Sequence, residues 1–65
     1  MIRVNDEPAD HCFGMTVATL LRDRGEVAAM VAVWIDGEML PRDAYETTPV
    51  EDGADVTIVL MAAGG

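Results

Sequence analysis

The stretch "VAVWIDG", Val31 to Gly37, constrains the fold of this chain more than any other. It ends the apolar run "VAAMVAVWI", whose nearly continuous hydrophobicity has no decisive period and fits a buried helix or a strand. The β-branched Val31, Val33 and Ile35, followed at once by Asp36-Gly37, favour a strand entering a tight hairpin turn. "EMLP" is then the short return strand, and Pro41 prevents it from continuing as an inner strand. A chain of 65 residues has room for one small core. Cys12 is its only cysteine, so no internal disulfide is available and the hairpin has to be held by packing.

The rest of the chain reads around that hairpin. "MIRV" is a short strand ended by the turn residues Asn5-Asp6-Glu7-Pro8, and "ADHCF" reads as a second short strand paired with it. Gly14 breaks this strand. Thr16 is placed to N-cap a helix whose apolar residues Val17, Leu20 and Leu21 fall at i, i+3, i+4 spacing, with Arg22 and Arg24 near its end and Gly25 beyond. "RDAYE" adds a helical turn in which Tyr45 is the expected core anchor, before the loop "TTPVEDG". "DVTIVLM" alternates Val56, Ile58 and Leu60 against Thr57, Val59 and Met61, the period of a strand with two distinct faces. The order is strand, strand, helix, strand, short strand, turn, strand. The expectation is an α+β chain of β-grasp (ubiquitin-like) type, a mixed sheet of about four to five strands with one main helix across one face. In that fold the first and last strands lie side by side and the last strand is central.

Twelve acidic residues against four arginines and no lysine give a net charge of −8. This field repels nucleic acid and anionic membranes and steers the chain toward a basic partner surface, while serving equally as a self-repelling, soluble surface. "MIRVNDEP" contains no apolar signal core, and no run has the length of a membrane span, so a cytoplasmic location is expected. His11 and Cys12 are adjacent, so on a strand they face opposite sides, and no second His or Cys completes a metal set. No metal site is expected. Glu51-Asp52 reads as a solvated loop, and Arg42 has Asp43 and Glu46 as local ion-pair candidates.

The residues "VND", "GMTVATLL", "IDGEMLPRDAY" and "EDGADVTIV", followed by a terminal "GG", resemble the ThiS family of ubiquitin-like sulfur carriers for thiamine thiazole synthesis, over essentially the whole chain. "LPRDAY" resembles the thiamine branch and helps separate it from the longer small subunits of molybdopterin synthase. The resemblance implies a β-grasp domain over 1–61 and a flexible reactive tail over 62–65. It also implies that the Gly65 carboxylate is adenylated with ATP by a ThiF-like adenylyltransferase. A persulfide-derived sulfur then displaces AMP, and the thiocarboxylate donates sulfur to a ThiG-like thiazole synthase. On that reading the chain is a protein cosubstrate, not an enzyme, and binds no cofactor of its own. Gly64 and Gly65 suit the task because without Cβ they thread a narrow channel and leave the acyl carbonyl open, and Ala62 and Ala63 keep the approach slim. The same composition fits an inert tail of small residues.

If Val31, Val33 and Ile35 point at the helix, alternation puts Met30, Ala32 and Trp34 on the opposite face beside Val59 and Met61. Such a patch is exposed in a monomer, and Trp34, Val59 and Met61 are the expected docking residues for the activating enzyme and the thiazole synthase. A one-residue slip of register buries Trp34 instead. Three other functions compete: a molybdopterin-type sulfur carrier, a ubiquitin-like protein modifier, and a β-grasp binding module with an inert tail. They differ in whether they predict a complex with the molybdopterin synthase large subunit, covalent conjugates, or no ATP-dependent change at Gly65.

Overall fold

Two pairs of left-handed residues set the sheet. In the computed structural model, which describes residues 1–61, Asn5 and Asp6 have φ of 52° and 67°, and Asp36 and Gly37 have 51° and 86°. Successive left-handed residues make the two-residue turn whose twist matches that of the strands it joins, and Asn, Asp and Gly adopt it at least cost. The first pair joins β1 (Ile2–Val4) to β2 (Glu7–Ala9), and the second joins β3 (Val31–Ile35) to β4 (Glu38–Leu40). Both hairpins are antiparallel, with Val4 opposite Glu7 and Ile35 opposite Glu38. The last strand, β5 (Asp55–Leu60), lies between them, parallel to β1 and antiparallel to β3. The resulting five-stranded order β2-β1-β5-β3-β4 with one helix is the β-grasp arrangement.

The first hairpin corrects the sequence expectation. The return strand is Glu7–Ala9 rather than "ADHCF", and residues 10–13 form no strand. Because the turn needs only Asn5 and Asp6, Glu7 and Pro8 are already in the ladder. Pro8 is tolerated there because β2 is an edge strand. It stands opposite Arg3, one position from the hydrogen-bonded pair that closes the turn, where its missing N–H would face away from β1. The second hairpin follows expectation, except that Ala28–Met30 form a turn of 3-10 helix and β3 begins at Val31.

Helix α1 (Val17–Asp23) is closed at both ends by its own residues. Thr16 Oγ1 accepts from Thr19 N–H at 3.3 Å and Thr19 Oγ1 accepts from Thr16 N–H at 2.8 Å, a reciprocal cap. At the other end Gly25 (φ 74°) donates to the Arg22 carbonyl at 3.1 Å and Glu26 donates to the Leu21 carbonyl at 2.9 Å, a Schellman closure that needs the left-handed glycine. Seven residues are too few for a stable isolated helix, so α1 depends on its buried face, Val17, Leu20 and Leu21. Each side chain buried this fully stabilises the fold by about 1.5–3 kcal/mol relative to exposure. They pack with Ile2, Val4, Val31, Val33, Val56, Ile58 and Tyr45 in one core. Tyr45 is buried as expected, beyond the 3-10 turn Arg42–Ala44, with its hydroxyl donating to the Val31 carbonyl at 3.3 Å.

The long loop before β5 is tied down from both sides. Val17 N–H donates to Thr48 O, Val50 N–H donates to Met15 O, and His11 Nε2 lies 2.7 Å from Val50 O. His11 and Cys12 therefore belong to a loop and not to the two faces of a strand. The N-terminal ammonium pairs with Asp52, and Gly53 N–H donates to the Met1 carbonyl. That ammonium, by its hydrogen bond and its charge, holds the Asp52 carboxyl below its usual range. Among the described residues Arg42 pairs with neither Asp43 nor Glu46, and the other ion pair is Arg3–Asp6 at 3.6 Å. No helix among them is long and apolar enough to cross a membrane.

Asn5 does two jobs, since its Oδ1 also accepts from Ile58 N–H at 2.8 Å. Asn5→Ala should lose both the left-handed tolerance and this bond, costing about 1–3 kcal/mol in urea unfolding. Asn5→Gly, which restores only the backbone freedom, should fall between the two. A pH titration followed by NMR should find Asp52 protonating below the usual carboxylate range, and N-terminal acetylation should return it there. The stabilisation from this pair is therefore present above the unfolded-state carboxylate pKa and fades as pH falls through the lowered native value.

Candidate functional site

Helix α1 covers one face of the sheet and leaves the other to solvent. Alternation along the strands puts Arg3 of β1, Thr57 and Val59 of β5, Ala32 and Trp34 of β3, and Met39 of β4 on that outer face, while Ile2, Val4, Val31, Val33, Val56 and Ile58 point into the core. The register expected from the sequence holds, and Trp34 is on the outer face, half-buried. Its ladder neighbours are Thr57 on one side and Met39 on the other. Val59 stands opposite Ala32, diagonal to Trp34 and within reach of a large ring. Ala32 itself is buried, so it adds shape to the patch rather than exposed surface.

At the end of β5 the patch reaches the root of the tail. Met61 N–H donates to the Met30 carbonyl at 2.8 Å, so the last described residue is still held, to the residue just before β3. Met30, Val59 and Met61 are exposed, as are Met39 and Leu60, which sequence reasoning missed. Met39 was recoverable, because the hairpin register places it beside Trp34. Leu60 was not. Its parity matches Val56 and Ile58, yet it is 67% exposed, because β1 has turned away at Asn5 and only β3 flanks it, through Val31. Ala62, Ala63, Gly64 and Gly65 lie outside the described residues.

The helix side carries a cleft of about 400 Å³ floored by Ala18, Leu21 and Tyr45 and rimmed by Arg22, Arg42, Glu26 and Glu46. Its balanced charge and its place across the core separate it from the outer-face patch. Among the described residues no cluster of three or more His, Cys, Asp or Glu side chains could hold a metal ion. Cys12 is a free, exposed thiol. What the outer face offers is an apolar surface leading to an extended strand end.

Two solved structures from Geobacter metallireducens resemble the chain closely. One, a crystal structure of a thiamine biosynthesis protein (ThiS), has a TM-score of 0.82 and 31% identity, covering 98% of this chain and 97% of that one. The other, an NMR solution structure of a thiamine biosynthesis protein, has a TM-score of 0.79 and 33% identity, covering 98% and 86%. No curated protein matches the chain significantly. The model of the ThiS family matches residues 2–65, nearly the whole sequence, and the chain belongs to that family.

Proposed function

We propose that the chain is a sulfur carrier for the thiazole ring of thiamine, with the Gly65 carboxylate as its reactive group. The reading is carried by membership of the ThiS family over a match that extends to Gly65, and supported by the likeness to thiamine biosynthesis proteins. A carboxylate is unreactive toward sulfur nucleophiles because oxide is a poor leaving group. Adenylation by a ThiF-like enzyme with ATP turns one oxygen into part of a good leaving group. The outer sulfur of a persulfide then attacks the acyl carbon as AMP departs, a thiol cleaves the resulting acyl disulfide by taking its other sulfur into a new disulfide, and a ThiG-like synthase consumes the thiocarboxylate that is released. The chain acts as a cosubstrate and contributes geometry. Gly64 and Gly65 add no Cβ near the acyl carbon, and Ala62 and Ala63 keep the approach narrow.

The fold supplies what this chemistry needs from a carrier. Residues 62–65 follow β5, the central strand, which is paired with β3 through Leu60 and tied beyond it by Met61 N–H to the Met30 carbonyl, so the reactive end starts from an anchored point. The outer-face patch of Trp34, Val59 and Met61, with Met39 beside it, offers an apolar docking surface at the base of the tail. Aromatic anchors of this kind dominate binding at many interfaces. A net charge of −8 steers the carrier toward basic partner surfaces.

Incubation with the host adenylating enzyme, ATP and a sulfur donor should replace one terminal oxygen by sulfur in the intact mass, and a chain lacking Gly65 should not change. An unchanged mass under conditions that activate a known carrier would overturn the reading in favour of an inert binding module. Trp34→Ala should weaken binding to the adenylating enzyme about tenfold or more, with a stability loss on the order of 1 kcal/mol. A large stability loss with unchanged binding would remove Trp34 from the docking surface.

A further inference from the structure

Strand β5 outruns the strand beside it. Asp36 N–H donates to Asp55 O and Met61 N–H to Met30 O, so Asp55, Thr57, Val59 and Met61 aim their main-chain groups at the β3 side. Ala54, Val56, Ile58 and Leu60 aim theirs at the β1 side, where Arg3 N–H donates to Ala54 O and Asn5 N–H to Val56 O, both at 2.9 Å. A continued parallel ladder would next bring the Asn5 carbonyl to Ile58 N–H. Instead Asn5 is left-handed, its backbone turns off, and its side-chain oxygen takes that bond in place of its carbonyl. Beyond this point the Ile58 carbonyl and the Leu60 N–H and carbonyl face the side that β1 has left. Among the described residues none of these groups has a hydrogen-bond partner. The central strand thus carries a short open edge at the root of the tail, a ready template for another extended chain.

We propose that an extended, basic segment of the adenylating enzyme adds to this edge as a further strand beside Ile58–Met61. The inference rests on the sulfur-carrier reading and specifies how that partner holds the carrier. Its occupant follows from charge and reach. The open edge begins where β1 turns off through Asp6, which pairs with Arg3 at 3.6 Å, toward Glu7 of β2; both acids are exposed, and with the chain's net charge of −8 this favours a positively charged segment. A second copy of the chain, with the same net charge of −8 and the same acidic turn, is repelled. Four extended residues, 62–65, span at most about 14 Å, so an enzyme acting on Gly65 has to bring its active site within that distance of Met61, where the open edge ends. Main-chain bonds would then supply affinity and the exposed side chains of Val59 and Met61 the apolar contact, the division of labour found in strand addition.

Leu60 N–H faces away from β3, so a proline there removes the edge donor without breaking the β3 ladder. Leu60→Ala, which keeps the N–H, is the paired control. Binding of the full chain to the adenylating enzyme should be roughly tenfold weaker for Leu60→Pro than for Leu60→Ala, and sulfur gain in the intact mass should slow in parallel. In the wild-type chain the Leu60 amide should exchange at least about tenfold more slowly once that enzyme is bound, a readout that stands even if the proline variant folds poorly. A wild-type chain that gains sulfur while its Leu60 amide stays unprotected, or a folded Leu60→Pro that binds like Leu60→Ala, would overturn strand addition alone. A wild-type chain that neither binds nor changes mass would overturn the sulfur-carrier reading and this one with it.

Discussion

The insertion of β5 between β1 and β3 is the constraint on which the structure depends. Without β5 the molecule is two separate hairpins and a helix too short to persist alone. With it, Val56 and Ile58 complete the layer under Val17, Leu20 and Leu21, and the two hairpins become one sheet. A two-stranded hairpin is marginal in water, whereas a wider sheet with a covered face is not. No disulfide assists, since Cys12 is alone, so the packing of aliphatic side chains against this strand and the hydrogen bonds along it do the work.

The placement of functional groups follows from that insertion. A central strand is the least mobile element of a sheet, and β5 stays paired with β3 through Leu60 and is tied once more by Met61 N–H to the Met30 carbonyl just before β3. The same strand has one face against the helix layer and one toward solvent, so a core and an exposed apolar patch share a backbone.

Much of this was legible in the residues, for reasons that differ by element. Asp36-Gly37 after three β-branched residues could hardly be anything but a hairpin, and Thr16, the Val17/Leu20/Leu21 spacing and Gly25 marked both ends and the buried face of the helix. The first hairpin was displaced because Asn5-Asp6 is a less familiar left-handed pair than Asn-Gly, and because Pro8 reads as a breaker until its edge position is known. The face of Trp34 was readable from alternation; its neighbours Thr57 and Met39 required the register. The exposure of Leu60 was beyond any periodicity argument, since it depends on where a strand more than fifty residues earlier turns away.

The parallel pairing of β1 with β5 joins segments at opposite ends of the described chain, Arg3 with Asp55 and Val4 with Val56. Hairpins and helices form quickly because their contacts are local, but this pairing must first close a loop of nearly the whole domain. The slow step of folding is therefore the arrival of β5, and until it arrives the facing edges of β1 and β3 are both unpaired. A chain of this topology is most vulnerable to off-pathway strand pairing before its last strand docks, and the self-repulsion of its acidic surface acts during that interval, when copies would otherwise pair with one another.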